Sequence, residues 1–310
     1  MQQNRQLFKR EYIMALNNCI PIVTSTSGQE MTKHGTPLFP VACYTDDLSK
    51  SEVSWHWHEE LEAFVVEQGL ACICINGGKY LIKQGEGFFI NSGILHSVCQ
   101  EGTSPCCLHS IVFHPRFVGG SLDSILWQKY LEPLLSNSFL PFVPFSTTQK
   151  WERDTLKAIN NAWKLCAFEE DGFELKTREQ LSKIILLLFQ HHRASEKSPS
   201  KKALREEERI KAMLQYIQDH YSEEISLAQI ADSANIGESE CLRCFRNLLG
   251  LSPIQYVKQI RIQKATELLL LTNWTITDIG QKCGFLEMSY FAKTFRELKG
   301  CTPSAFRSKK

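Results

Sequence analysis

Four side chains in the first third of the chain could together hold a metal ion or a small ligand. They lie in two segments, HWHEELEAFVVEQG and GEGFFINSGILH, and are His56, His58, Glu62 and His96. Imidazole nitrogens and a carboxylate oxygen are donors that suit iron, manganese, nickel or zinc. The same groups can instead line a pocket for a small effector, or serve only as polar residues of a core. The residue types alone do not choose among these three interpretations.

Short apolar, β-branched and aromatic runs surround these residues between about Gly35 and Val118. The runs FVVEQ, ACICI, KYLI, GEGFFI and SIVF are separated by turns that contain glycine, among them NGG at residues 76–78. Runs of this kind are typical of strands joined in hairpins. Their close spacing and the scarcity of long crossovers predict an antiparallel barrel or a double sheet.

The spacing of the four polar residues resembles that of the cupin family. The first segment matches HxHx3Ex6G through Gly69, and the second carries Gly85 and Gly93. The second segment departs from the family pattern at Asn91, where proline is usual, and at Gln100, where asparagine is usual. In metal-binding cupins the residues at these places hold one divalent ion, whereas cupin-like sensor domains use the barrel mouth to bind a small effector.

We expect a small-molecule effector at this place, with a sugar as one candidate, and no cofactor. The predicted effector-binding residues are His56, His58, Glu62 and His96. Three nearby aromatic residues, Trp55, Trp57 and Phe64, could stack on a sugar ring and would fit a barrel core equally well.

Residues 122–193 change to helical periodicity. Apolar stripes run through 122–131, 151–167 and 175–192, and prolines separate the first stripe from the second. Amphipathic helices appended to a small barrel leave apolar faces that need cover, so we predict a homodimer formed through them. Packing of these faces on their own chain is the competing interpretation.

A polar, serine-rich and charged stretch follows these helices and predicts a linker at 194–203. The linker divides the chain into a cupin-like sensor domain at 1–121 with a helical segment at 122–193, and a DNA-binding domain at 204–310. A tether of this composition allows the two parts to reorient.

One sequence unit occurs twice in the last hundred residues, at 226–256 and at 275–306. In each copy Ser226 or Thr275 can cap a short helix, a turn follows, and a longer helix ends at a glycine before a Ser/Thr-Pro pair. In the second copy Gly284 can adopt the left-handed conformation that a tight turn needs. A repeat of this length is one supersecondary unit used twice, and this one is typical of a helix-turn-helix.

Basic charge is concentrated in the same region. Residues 241–310 contain 12 Lys or Arg against 4 Asp or Glu, while the whole chain has a net charge of only +1. Double-stranded DNA would draw affinity from lysine and arginine at phosphates, and the second helix of each unit would read base edges in the major groove. A merely solvated basic face is the alternative.

The residues of the two units look like the signature of the arabinose-regulator (AraC) family of bacterial transcription factors. The match covers 210–307 and includes Arg261, Ala265, Ile279, Gly284-Phe285, Ser289-Tyr290-Phe291, Phe295, Gly300, Thr302-Pro303 and Arg307. The resemblance implies seven helices with two helix-turn-helix units. Two glycines depart from it: Gly237 stands where a capping serine is common, and Gly280 where alanine is usual. A glycine inside a helix costs up to about 1 kcal/mol relative to alanine.

We expect the DNA contacts on the exposed face of the second helix of each unit. They are Glu238, Ser239, Leu242, Arg243 and Arg246 in the first unit, and Glu287, Met288, Ser289, Lys293 and Arg296 in the second. Helical spacing places Phe245, Phe291 and Phe295 in the core.

Taken together, the sequence predicts an α+β multidomain protein. An N-terminal cupin-like antiparallel β-barrel with appended helices precedes an all-α DNA-binding domain. We expect a cytoplasmic transcription regulator that responds to an effector, works with RNA polymerase and is not an enzyme. The family resemblance implies activation as the more frequent mode of control. The N-terminus is too polar for a secretory segment.

Two other function classes remain open: a metal-dependent cupin enzyme or metal sensor, and a nucleoid-binding protein without a switch. The twelve cysteines are expected as reduced thiols. The pair Cys241 and Cys244 lacks a second pair at zinc-site spacing, so we expect packing residues there.

Overall fold

The computed structural model describes residues 15–18, 33–75, 77–137, 140–192 and 201–308. The chain divides into two compact units: an N-terminal unit with most residues before 200, and a C-terminal unit with residues 201–308. The N-terminal unit combines β-sheets with helices, and the C-terminal unit is helical. Within the described ranges, no helix combines the length and the apolar character needed to cross a membrane.

Ten strands in the described part of the N-terminal unit form two sheets. They are β1 (Leu16–Asn18), β2 (Val41–Asp47), β3 (Val53–His56), β4 (Leu61–Gln68), β5 (Leu70–Ile75), β6 (Gly78–Lys83), β7 (Gly87–Ile90), β8 (His96–Gln100), β9 (Cys107–Phe113) and β10 (Phe142–Phe145). One sheet has the order β1-β2-β9-β4-β7-β10 and the other β3-β8-β5-β6. Strand β1 runs parallel to β2, while β2, β4, β7 and β10 pair antiparallel with their other neighbours. The strands predicted from the sequence are confirmed.

Alternation along β4 separates two cores. Leu61 and Val65 face the helices, whereas Phe64 and Val66 belong to the core between the two sheets. Successive side chains of a strand point to opposite faces, so Glu62 shares the inner face with Phe64. A carboxylate is thereby placed between the sheets.

Helices cover the outer face of the six-stranded sheet. They are α1 (Arg116–Gly119), a π-helical turn (Trp127–Leu131), α2 (Glu132–Leu135), α3 (Lys150–Phe168) and α4 (Phe173–His191). The stripes at 151–167 and 175–192 correctly predicted α3 and α4, and the stripe at 122–131 contains the π-helical turn, whose π geometry was not predicted. Apolar side chains of both helices, including Ile159 and Leu188, are buried in one core with the sheet. The sheet of the same chain thus covers the faces for which we expected a second copy.

The described part of the C-terminal unit contains seven helices, the number that the resemblance implied. They are α5 (Lys201–His220), α6 (Leu227–Asp232), α7 (Glu238–Leu249), α8 (Pro253–Leu271), α9 (Ile276–Lys282), α10 (Met288–Lys299) and α11 (Pro303–Arg307). Residues 201–203, predicted as the end of the linker, lie in α5, because this lysine- and alanine-containing stretch favours a helix. Residues 194–200 of the predicted linker lie outside the described residues.

Local capping defines the two helix-turn-helix units, α6–α7 and α9–α10. Ser226 and Thr275 each accept a hydrogen bond from the third helical amide and form a capping box. Gly284 has a φ of +80°, as the turn prediction required. The three phenylalanines predicted as core residues are buried: Phe245, Phe291 and Phe295.

Cys241 and Cys244 are buried on α7. Burial raises the pKa of the Cys241 thiol to about 12, so it is protonated at neutral pH. Both residues pack in the helical core, as the sequence predicted.

Candidate effector site and nucleic-acid interface

The four predicted effector residues meet between the two sheets of the N-terminal unit. One donor atom from each of them lies within 4.8 Å of the others. His56 ends β3 and is the cross-strand partner of His96, which begins β8. His58 follows β3, and Glu62 lies on β4 of the opposite sheet. Both sheets therefore contribute to one buried cluster.

Backbone carbonyls orient all three imidazole rings in the same way. The contacts join Nδ1 of His56 to the Ser54 carbonyl (2.8 Å), Nδ1 of His58 to the Glu60 carbonyl (3.1 Å) and Nδ1 of His96 to the Ile94 carbonyl (2.8 Å). A carbonyl can only accept, so each Nδ1 carries the proton. Nε2 is then the nitrogen that faces the cluster: it donates to a carboxylate when the ring carries both protons, and it offers a lone pair to a metal ion when the ring carries one.

Glu62 is held in its ionised form by two of these rings. Its Oε2 lies 3.3 Å from Nε2 of His58 and 3.1 Å from Nε2 of His96. Burial alone would raise the pKa of Glu62, but the hydrogen bonds from the two histidines outweigh it and hold the pKa well below its usual range. The cluster therefore contains a buried negative charge.

Contacts around Gly93 fix the segment that precedes His96. Gly93 has a φ of +73°, and its amide donates to the His58 carbonyl at 2.8 Å. Asn91, which departs from the cupin pattern, is buried and donates through Nδ2 to the carbonyls of Leu134 and Leu140. This departure ties the end of β7 to α2, and His96 still reaches Glu62.

His34 and Tyr44 extend the cluster and were missed by the sequence analysis. The His34 ring is 7% exposed and its centroid lies 5.2 Å from that of His58. Nδ1 of His34 is 2.8 Å from the Tyr44 hydroxyl. A single histidine outside both motifs gave no signal that could have placed it here. Of the aromatic candidates, Phe64 belongs to the core between the sheets and Trp55 is buried.

The predicted DNA contacts lie on the outer face of α7 and α10, the longer helix of each helix-turn-helix. All of them are exposed except Met288, which is partly buried and packs on the core of the second helix-turn-helix. The Met288 thioether fills the space beside Gly280 that an alanine Cβ would occupy. Lys293 and Arg296 of α10 are both exposed, and Nζ of Lys293 lies 4.0 Å from a carboxylate oxygen of Glu297.

Two family models match the chain. The AraC-like ligand binding domain matches residues 38–208, and the helix-turn-helix domain matches residues 230–309. The first alone covers more than half of the chain. The chain belongs to the AraC family of transcriptional regulators. It is therefore a DNA-binding regulator with a ligand-binding domain, and not an enzyme.

Relatives of this AraC-family regulator align along most of its length. The chain is 30% identical to the Uncharacterized HTH-type transcriptional regulator YdeC of Bacillus subtilis (strain 168), over 90% of this chain and 95% of that protein. It is 26% identical to the HTH-type transcriptional activator RhaS of Citrobacter koseri, over 84% and 89% respectively. Apo ToxT K231A of Vibrio cholerae is a solved structure with a TM-score of 0.48 and 14% identity, covering 86% of this chain and 96% of that one. Family membership rests on the sequence matches.

One predicted contact of this AraC-family regulator, Arg243, is already engaged. Its guanidinium donates to the carboxylates of Glu240 on the same helix and of Glu206 on α5. Arg209, also on α5, donates to Glu240 at 3.2 Å. The spacing of Glu240 and Arg243 on α7 could have revealed the first pair, whereas Glu206 is brought close only by the fold.

Proposed function

We propose that this regulator binds a promoter operator in double-stranded DNA through the outer faces of α7 and α10. The exposure of nine of the ten predicted contacts supports this proposal. The contact residues in the proposal are Glu238, Ser239, Leu242, Arg243, Arg246, Glu287, Met288, Ser289, Lys293 and Arg296. Both helices have uncommitted polar side chains that can face a major groove.

The decisive experiment removes the basic pair of α10. In Lys293→Ala with Arg296→Ala we expect operator affinity to fall by about 1 to 3 kcal/mol for each interaction with a base that the two substitutions remove. The operator is obtained by selecting random duplexes with the wild-type chain, and affinity is measured by fluorescence anisotropy.

The matched control removes two exposed lysines of β6 in the N-terminal unit, outside the proposed dimer faces: Lys79→Ala with Lys83→Ala. It tests for a general effect of reduced positive charge and should leave the affinity within about threefold. Equal affinities of wild type and the α10 double variant would remove the second helix-turn-helix from the contact surface.

We propose activation as the mode of control, with RNA polymerase as the protein partner. The support is that the RhaS relatives are activators by name. A reporter gene placed behind the selected operator should be transcribed more strongly when the regulator is supplied. Transcription that falls instead would make it a repressor.

We propose that a small-molecule effector bound at His56, His58, Glu62 and His96 controls DNA binding. The supporting observation is the convergence of four polar donors in an otherwise apolar core. A sugar is one candidate, because its hydroxyl groups can donate to the carboxylate or to Nε2 of a neutral ring, and can accept from Nε2 of a ring that carries both protons. Control requires the effector to favour one arrangement of the regulator over another.

A divalent transition metal is a second candidate for the same cluster, favoured by the orientation of its rings. Each Nδ1 is committed to a carbonyl, and the four donors lie close enough together to share one ion. This donor set fits iron, manganese, nickel or zinc. Such an ion would supply a Lewis-acid anchor for an oxygen-bearing effector.

Elemental analysis of the purified full chain separates the two candidates. The metal proposal expects about one equivalent of metal in the wild type and a loss of it in His96→Ala. The matched control is His191→Ala, which removes an exposed histidine on α4 and should keep the metal. If the wild-type protein contains no metal even after incubation with cobalt(II), the metal proposal fails and the cluster remains a candidate effector pocket.

We propose a homodimer that uses the outward faces of α3 and α4. Two of their apolar side chains are strongly exposed, Phe168 at 72% and Leu175 at 75%. An open groove of about 560 Å³ beside them is lined by residues of both helices, including Lys164 and Glu179. Apolar side chains flanked by both charges suit a twofold contact.

The oligomeric state tests this proposal. Sedimentation of the full chain at micromolar concentration should give a dimer, and Leu175→Glu should give a monomer. A control at Leu122, which is also exposed but lies outside α3 and α4, should remain dimeric as Leu122→Glu. Monomeric wild type would remove the proposal.

A further inference from the structure

Two arginines one turn apart on α7 differ in what already holds them. Arg243 and Arg246 are both exposed. Arg243 makes three hydrogen bonds to carboxylates. Among the residues that the structure describes, the Arg246 guanidinium has no hydrogen bond or ion pair. The pairing of Arg243 with Glu240 follows from their spacing on α7, whereas the contact with Glu206 comes from the fold.

The donors of Arg243 can be counted. A guanidinium carries five N–H groups, one on Nε and two on each Nη. Nε donates to Glu240 at 3.0 Å and Nη2 donates to the same carboxylate at 2.6 Å. The second N–H of Nη2 lies toward Glu206, at 3.1 Å. Only the two N–H groups of Nη1 remain.

This count limits what Arg243 can recognise. Reading guanine requires two N–H groups from neighbouring nitrogens, which donate together to O6 and N7. Every such pair on a guanidinium includes Nη2, because Nη2 is shared by the side edge with Nε and the end edge with Nη1. Nη1 alone can still donate to the oxygens of one phosphate.

A network of four charges stabilises this arrangement. Glu240 also accepts from Arg209, and the Glu206 side chain is only 20% exposed. Exposed ion pairs contribute little singly, but bidentate pairs joined in a network hold their geometry better. Residues of α5 thereby fix a side chain on the first recognition helix.

We infer that Arg243 anchors the first helix-turn-helix to a DNA phosphate and carries no base information. The inference rests on the proposed contact surface, because α7 must face DNA for Arg243 to reach it. Arg243 then fixes the position of α7 along the duplex, and the base preference of the first helix-turn-helix comes from other side chains of α7.

The test compares full-length variants on the operator selected by the wild type and on all its single-base-pair changes. In Arg243→Ala we expect roughly tenfold weaker binding to every duplex by the same factor. The slope of log affinity against log salt should fall by about one. Arg243→Lys should retain most of the affinity, because a phosphate needs only a point charge and a bidentate guanine contact does not tolerate lysine as well.

The same measurements on Arg246→Ala provide the matched variant, since it removes an arginine without carboxylate partners from the same helix face. Arg243→Ala that abolishes the preference at one base pair and spares the others would overturn the inference. Unchanged affinity in Arg243→Ala overturns it as well. If Lys293→Ala with Arg296→Ala also leaves the affinity unchanged, the proposed contact surface fails. If only the α10 variant loses affinity, the inference about Arg243 fails alone. Should Arg243→Ala not fold, the lysine variant decides by the same two readouts.

Discussion

The two helix-turn-helix units share one backbone plan but are packed differently. Each begins with a capping box, and each longer helix ends at a left-handed glycine. At the turn the left-handed residue is Asn235 in the first unit and Gly284 in the second. Equivalent backbone bonds follow, from Ile236 to Ala231 and from Phe285 to Gly280. The turn geometry is therefore the same although the residues differ.

What surrounds the turns differs. A Cβ on Gly284 would lie 2.6 Å from the Tyr221 carbonyl, which also accepts a hydrogen bond from Arg261. Asn235 is exposed. The first unit instead commits Arg243 to carboxylates of α5 and α7. The same local fold is therefore held by close backbone packing around the turn in one copy, whereas the turn is exposed to solvent in the other.

The largest expected effect tests whether both units depend equally on their aromatic cores. Phe295→Ala and Phe245→Ala should each destabilise their own unit by about 3–5 kcal/mol, because both rings are fully buried. Hydrogen exchange of amides in α10 and α7, followed by mass spectrometry of the full chain, measures the opening free energy of each unit. Leu298→Ala is the exposed control on α10. A small effect at either phenylalanine would show a core less well packed than its partner.

The turn residues should show the sharpest difference between the units. Gly284→Ala should destabilise the second unit by about 2 kcal/mol or more, because it combines a positive φ with a backbone clash. Asn235→Gly retains the conformation in an open turn and should change the stability of the first unit by less than about 0.5 kcal/mol. The same exchange measurement applies. Equal costs in the two units would contradict the packing difference described above.

The capping residues should again behave alike. Ser226→Ala and Thr275→Ala should each cost about 1 kcal/mol, since each leaves a helical amide without its acceptor. Thr275→Ser keeps the acceptor and serves as the control. Exchange rates in α6 and α9 report the result, and an alanine variant as stable as the wild type would mean that water replaces the cap at no cost.

The smallest expected effect is a gain at Gly237, the N-cap of α7. Gly237 lacks a side-chain cap, its backbone is extended, and a Cβ there would meet no atom within 4 Å. Gly237→Ser should stabilise α7 by a few tenths of a kcal/mol, to about 0.5 kcal/mol at most. Gly237→Ala is the matched control without an acceptor. Slower exchange in the alanine variant than in the serine variant would exclude capping as the cause.

Much of the C-terminal unit could be predicted from its sequence, because its signals are local. Ser226, Thr275 and Gly284 act within a few residues of their own position, and helical periodicity identified Phe295 as core. The role of Gly280 could not be predicted, since it depends on the Met288 side chain beside it. The resemblance led us to treat this glycine as a weakness, whereas the structure shows that the missing Cβ makes room for packing.

The structure of the N-terminal unit was predictable in part. The spacing of His56, His58 and Glu62 identified a candidate site, and the short apolar runs identified the strands. No local pattern marked His34, and the stripes of α3 and α4 did not reveal whether the sheet or a second copy covers them. Both outcomes depend on contacts between segments far apart in the chain.

The sequence by itself determined where the short helix of each helix-turn-helix begins, that Phe245, Phe291 and Phe295 face the core, and which residues could bind DNA or a ligand. Those properties follow from hydrogen bonds and periodicities that span a few residues. Only the tertiary structure decided that His96 reaches Glu62, that Tyr44 reaches His34, and that Glu206 reaches Arg243. These contacts depend on strand register and helix packing, which bring together side chains that no short-range spacing relates.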